Sequence, residues 1–181
     1  MRLFVGLALP LDIRHRLQAL CSGIAEARWV KPENMHITLR FVGDVNGEDV
    51  DDLNDALAKI SCPSFNLSLG SVDCFGSSKG VRSVWAGVEK SQELEQLQAR
   101  VESTISRLGY GPEERKFTPH ITLARFKKTR ADKIAPFFES NIGFVSGPFP
   151  IEKFTLFRSH LGHEGAHYET LGEYPLLDPE G

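Results

Sequence analysis

Hydrophobic and polar positions along this chain switch repeatedly between a period of two and a period near three and a half. Arg2 to Ala8 is almost continuously apolar, which predicts a buried strand. Pro10 and Asp12 open a predicted helix through about residue 27, with Leu11, Ile13, Leu17, Leu20 and Ile24 as its apolar positions. Trp29 to Asn34 reads as a turn delivering a strand over about 35–42, closed by Gly43 to Gly47. A second helix is predicted over about 47–60, and an alternating strand over 65–69. After a turn at 76–80 come a strand over 81–88 and a helix from Ser91 to Leu108. That helix carries Leu94, Leu97, Val101, Ile105 and Leu108 on one face and stops at Gly109. A loop over 110–116 leads to a strand beginning near His120, followed by a short helix near 131–139. Pro148 and Pro150 precede a strand over about 151–160, and His167 to Tyr174 returns beside it across Gly162 and Gly165.

Strands scattered among helices in this order fit neither a sandwich nor a doubly wound parallel sheet. They predict an α+β fold with two mainly antiparallel sheets and helices packed outside. One tetrapeptide organises that prediction. His36-Ile37-Thr38-Leu39 recurs as His120-Ile121-Thr122-Leu123, followed by Arg40-Phe41 in the first copy and Ala124-Arg125-Phe126 in the second, which points to two related halves. The expected architecture is a bilobal, pseudo-two-fold duplicated fold whose repeated strands face each other across a central cleft. A length of 181 residues suits one domain over 1–181, made of two intertwined lobes.

On each repeated strand the histidine and threonine share one face, and the isoleucine and leucine share the other. Each copy therefore presents an imidazole and a hydroxyl together. Histidine gives or takes a proton near neutrality. Displacement at phosphorus needs one group to take a proton from the attacking oxygen and another to give one to the leaving oxygen, on opposite sides. Two equivalent imidazoles on facing walls meet that demand. Thr38 and Thr122 are then placed to donate to the non-bridging oxygens, and no metal or other cofactor is called for.

Charge narrows the ligand. With net charge −3 and pI about 6.1, the chain offers no global basic field for a long nucleic acid, so an anion must be held locally. Arg115, Lys116, Arg125, Lys127, Lys128, Arg130 and Lys133 against Asp132 form such a local patch around the second repeat. Arg125 is the candidate phosphate ligand among them. Strict alternation puts it opposite His120, and the extra Ala124 relative to the first repeat suggests a bulge that re-aims it.

Other readings of the same residues are structural. The two histidines could be buried and satisfied by carbonyls, or form part of a metal site, which would need further ligands. His160, His163 and His167 could bind metal, although a solvated hairpin accounts for them, and His15 falls on a polar helix face. The acidic run Glu48, Asp49, Asp51, Asp52 and Asp55 reads as a solvated, well-capped helix start favoured by the helix dipole. Cys21, Cys62 and Cys74 read as reduced thiols of a cytosolic protein. The apolar N-terminus is too short for a signal peptide or membrane span, so a cytoplasmic protein is expected.

The paired His-x-Thr motifs resemble those of the 2H phosphoesterase family, in particular its RNA 2′,3′-cyclic phosphodiesterases of the 2′-5′ RNA ligase type. Arg2-Leu3-Phe4-Val5, Asn34-Met35, Val84-Trp85-Ala86-Gly87, Ala124-Arg125 and Phe154 to Ser159 extend the resemblance over nearly the whole chain. The resemblance implies metal-independent opening of a terminal 2′,3′-cyclic phosphate on RNA to a 2′-phosphomonoester. It implies His36 as general acid toward the ribose O3′, His120 as general base toward water, and Thr38, Thr122 and Arg125 as phosphate ligands. The two near-identical motifs do not by themselves say which histidine is acid and which base. Exchanging the roles would break the opposite P–O bond and yield a 3′-phosphate. Relatives often carry an arginine where this chain has His167. The same machinery in reverse would join a cyclic-phosphate end to a 5′-hydroxyl in a 2′-5′ linkage. Cleavage of 2′-5′ oligoadenylate and non-catalytic binding of RNA ends are the alternatives. The partner expected is RNA or a nucleotide with a cyclic phosphate end, with no membrane, and the duplicated interior suggests a monomer.

Overall fold

The computed structural model describes residues 1–77 and 79–178. Among the described residues, nine strands form two sheets, and four α-helices cover their outer faces. The elements are β1 (Arg2–Ala8), α1 (Leu11–Gln18), β2 (Arg28–Trp29), β3 (His36–Asp44), α2 (Val50–Ala58), β4 (Phe65–Ser77), β5 (Gly80–Val88), α3 (Gln92–Ile105), β6 (His120–Thr129), α4 (Ala131–Ser140), β7 (Val145–Ile151), β8 (Lys153–Gly162) and β9 (Gly165–Pro175). One sheet has the order β3-β1-β8-β9 and the other β2-β6-β5-β4-β7, with antiparallel pairing throughout.

The strand orders give the duplication its form. β3 lies beside β1 as β6 lies beside β5, and beyond them β8 and β9 match β4 and β7. Strands are exchanged between the sheets: β4, from the first half, joins β5 and β6 in the second sheet, and β8 and β9, from the second half, join β1 and β3 in the first. The lobes are therefore interlaced. Ile37, Leu39, Ile121 and Leu123 are buried on the faces turned from the cleft, among Leu94, Leu97, Val101 and Ile105 of α3 and Leu53 and Leu57 of α2.

Four elements differ from the sequence pattern. Helix α1 ends at Gln18 rather than near residue 27. Ile13 and Leu17 are buried one turn apart, but Leu11 is exposed. Beyond it, Gly23 and Glu26 take left-handed backbone (φ 88° and 62°), so Ile24 reaches the core from a loop. Strand β4 runs to Ser77, well past Leu69. The pattern breaks there because the register shifts between Leu69 and Val72 and Ser71 sits at φ 61°, after which Asp73 and Phe75 continue the strand. The prolines at 148 and 150 lie inside a strand, β7. It is an edge strand pairing only with β4, a place where a missing N–H is tolerated. The two-residue β2 carried no periodic signal at all. The α2 start has no side-chain cap, whereas Ser91 Oγ accepts the Leu94 N–H at 3.2 Å to start α3. His15 is exposed, and Cys21, Cys62 and Cys74 are free thiols. Among the described residues, no helix is long and apolar enough to cross a membrane.

Candidate active site

The two repeated strands line one cleft of about 550 Å³, which brings together His36, Thr38, His120, Thr122 and Arg125. All five predicted residues meet there. The local reason is a bulge that occurs twice. Against β1, Thr38 pairs with Gly6 and Arg40 with Val5, leaving Leu39 unmatched; against β5, Thr122 pairs with Trp85 and Ala124 with Val84, leaving Leu123 unmatched. Each leucine and the residue after it are buried in succession, so alternation slips by one. Arg125 thereby emerges on the face of His120 and Thr122. The bulge is thus present in both repeats, and Ala124 is not an insertion. The position matching Arg125 is Phe41, and Arg40 matches the buried Ala124.

Arg40 shows the cost of that slip. It is 5% exposed, and its charge is met by Glu102 of α3, while its other nitrogens donate to the carbonyls of Phe41 (2.8 Å) and Gly111 (2.7 Å). Glu102 also accepts from Ser106 Oγ at 3.0 Å and the Glu113 N–H at 2.9 Å. Burial alone would raise the Glu102 pKa, but these hydrogen bonds outweigh it and hold the group below the usual carboxylate range. The network ties β3 to the segment that leads into β6, and so one half of the site to the other.

Both imidazoles are anchored alike. His36 Nδ1 donates to the Asn34 carbonyl at 2.7 Å and His120 Nδ1 to the Thr118 carbonyl at 2.6 Å, in each case two residues upstream. With Nδ1 carrying a proton, Nε2 is the nitrogen left for chemistry. In His36 it lies 2.9 Å from Thr38 Oγ1. The His36 ring packs on Phe4 (centroids 4.8 Å apart) and meets the edge of Tyr168 at 5.1 Å; the His120 ring is held by Phe75 at 4.9 Å and Trp85 at 5.4 Å. Gly6 keeps β1 close to β3: a Cβ there would fall 2.8 Å from the Ile37 carbonyl oxygen. Burial, reinforced by the charges of Arg125 and His120, pushes the His36 pKa down to about 4, against the opposing pull of the Asn34 carbonyl. His120 is also lowered, by burial first and then by Arg125. In the free protein both rings are therefore neutral at neutral pH, each with an electron pair on Nε2.

Among the basic residues, Arg125 and Arg2 line the cleft, while Arg115 and Lys116 line a neighbouring groove. Lys127, Lys128, Arg130 and Lys133 are exposed, and Arg130 pairs with Asp132 at 3.3 Å on the surface. Pattern reading missed Arg2, Phe4 and Tyr168. The signal for the first two was the alternation Arg2-x-Phe4-x-Gly6, hidden inside a run that looked uniformly buried. Tyr168 alternates with His167, so Ala166 and Tyr168 face the cleft and His167 pairs with His160 on the far side of the hairpin. Asn34 Nδ2 donates to the Ala166 carbonyl at 2.8 Å and fixes that hairpin beside His36. Among the described residues, no group of three or more histidines, cysteines or acids is placed to hold a metal ion, the tail histidines included.

Comparison with known proteins bears on the family and the fold. The family described as LigT like Phosphoesterase matches residues 7–85 and 87–168. A protein of Aeropyrum pernix named RNA 2′,3′-cyclic phosphodiesterase is 33% identical over 164 residues, covering 87% of this chain and 93% of its own. One of the same name from Escherichia coli is 31% identical over 179 residues, covering 97% and 96%. Among solved structures, E. coli LigT complexed with 3′-AMP superposes with a TM-score of 0.78 at 28% identity over 97% of both chains. The Thermus thermophilus protein TT0787 does so with 0.79 at 25% identity, over 99% of this chain and 100% of its own.

Proposed function

This chain belongs to the LigT-like phosphoesterases, and from that premise we propose that it hydrolyses the terminal 2′,3′-cyclic phosphate of RNA to a 2′-phosphomonoester. The observation that carries the proposal is the pair of imidazoles in one cleft, each with Nδ1 spent on a carbonyl and Nε2 left for proton transfer. The names of the relatives and the nucleotide held by E. coli LigT support a nucleotide substrate.

In this mechanism the cyclic phosphate sits between the two walls. Arg125 and the hydroxyls of Thr38 and Thr122 receive its non-bridging oxygens, where negative charge grows as water adds. His120 Nε2 takes a proton from water as its oxygen bonds to phosphorus. The bond from phosphorus to O3′ breaks on the opposite side, and O3′ takes the proton of His36 Nε2. The phosphate stays on O2′, His36 ends neutral and His120 protonated, and exchange with solvent resets both. His36 is the harder of the two to protonate in the free protein. The phosphate anion offsets Arg125 and raises both rings, so His36 acquires its proton together with substrate. A 5′-hydroxyl in place of water would give a 2′-5′ linkage by the same steps.

Phosphorus NMR on a 2′,3′-cyclic nucleotide with protein and EDTA tests the reading. The expected product is the 2′-monophosphate. A 3′-monophosphate would reverse the roles of His36 and His120, and an unchanged cyclic phosphate with folded protein would remove the function.

A further inference from the structure

A second groove opens beside the catalytic cleft and shares Thr38, Phe41 and His120 with it. At about 840 Å³ it exceeds the 550 Å³ cleft and has the size of a site for a further nucleotide. Its apolar surface is aromatic: Phe41 is 61% exposed and Phe75 41%, with Phe117 beside them. Besides the buried, paired Arg40, its cations are Arg115 and Lys116, both exposed and neither engaged in an ion pair among the described residues. Two carboxylates also line it, one paired with a cation and one exposed. Glu102 is held by Arg40, and Glu113 Oε1 accepts the Arg115 N–H at 3.1 Å.

Aromatic faces flanked by unpaired cations are the means by which proteins hold single-stranded nucleic acid: bases stack, and phosphates meet the charges. In a protein of net charge −3 such a placement is local and bears on one stretch of backbone. The segment bearing Arg115 and Lys116 runs directly into His120, and the Arg40–Glu102–Glu113 network fixes it to β3. The groove therefore has a defined relation to the reacting phosphorus.

We propose that this groove binds the nucleotide on the 5′ side of the cyclic end, with Arg115 and Lys116 on its phosphates and Phe75 and Phe117 against its base, so that the preferred substrate is an oligonucleotide rather than a cyclic mononucleotide. The proposal rests on the cyclic phosphodiesterase reading of the cleft.

The test compares a 2′,3′-cyclic mononucleotide with a cyclic-ended tetraribonucleotide, using the intact protein and the double variant Arg115→Ala, Lys116→Ala. The wild-type protein should favour the tetranucleotide in kcat/KM. In the variant that value should fall about tenfold at low salt, with the mononucleotide changed less than twofold. The dependence of log KM for the tetranucleotide on log salt should flatten by about 1.4, the amount for two single-strand phosphate contacts. Equal kinetic effects on both substrates, or no wild-type preference, would overturn the groove while leaving the cleft intact. If neither substrate is hydrolysed, the cleft reading falls. The groove is then judged by fluorescence anisotropy of the same tetranucleotide, where equal affinity of wild type and variant rejects it and a tenfold weaker variant supports it.

Discussion

At the scale of single residues, the proposed chemistry depends on two Nε2 atoms in different charge states. His36→Ala and His120→Ala are each expected to lower kcat by about 10²–10⁴-fold with the far-ultraviolet circular dichroism unchanged; near-wild-type turnover in either would dismiss the two-histidine mechanism. The pKa shifts add a sign. Both rings are lowered from 6.5, His36 to about 4, so the singly protonated pair is most abundant in the free protein at mildly acidic pH. We therefore expect kcat/KM to be bell-shaped with its maximum below pH 6.5. It should fall on the alkaline side as both rings become neutral, and on the acid side as both are protonated. A bound phosphate raises both groups, so the kcat profile should lie at higher pH than that of kcat/KM. Arg125 contributes to lowering both histidines, so Arg125→Ala should move the kcat/KM maximum upward in pH as well as reduce its height. A reduction in height alone would mean that Arg125 binds phosphate without setting the proton affinities.

At the scale of elements, the doubled bulge converts two identical tetrapeptides into unlike walls. The slip at Leu39 buries Arg40 and exposes Phe41, whereas the slip at Leu123 buries Ala124 and presents Arg125. Pseudo-symmetry thus supplies two imidazoles, while the residue just past each bulge supplies an aromatic surface on one side and a cation on the other. The burial of Arg40 makes a stability prediction. Arg40→Met leaves Glu102 without its partner and should destabilise the fold by roughly 2–4 kcal/mol at pH 7. Glu102 has a lowered folded pKa, so its contribution is present above the unfolded carboxylate value and lost as pH falls through the lower folded one. Urea unfolding of both proteins at pH 7 and pH 3 should show their difference shrinking at the lower pH. A constant gap would assign the effect to packing alone.

At the scale of the molecule, the crossing of β4 and β8 between sheets makes each lobe depend on both halves of the chain. The family match divides between residues 85 and 87, yet each sheet draws strands from both sides of that point. We expect residues 1–181 to unfold as one unit. Separate fragments 1–89 and 90–181 should each lack stable structure and regain the native circular dichroism only when mixed. An independently folded fragment would contradict this. The reason is the edge left behind: without β8, β1 exposes a bonding edge and an apolar face, and β5 does so without β6.

The sequence by itself determined the elements whose signals are local. These are the α3 helix with its Ser91 start and the left-handed Gly109 shortly after its end, the duplicated His-x-Thr strands, and the α+β class that follows from their order. Side-chain period on a strand is set by backbone stereochemistry, so the pairing of His36 with Thr38 and of His120 with Thr122 on shared faces was legible before any contact was known. Tertiary structure decided what depends on a partner strand. A bulge is a mismatch between two strands, so neither its presence in both repeats nor the exposure of Phe41 could be read from one of them. The prolines of β7 became acceptable only because that strand lies at an edge. Arg2, Phe4 and Tyr168 joined the cleft because β1 and the β8–β9 hairpin, distant in sequence, were brought beside β3. Proton affinities were the last to be fixed, since they follow from burial and from Arg125, and both exist only in the folded chain.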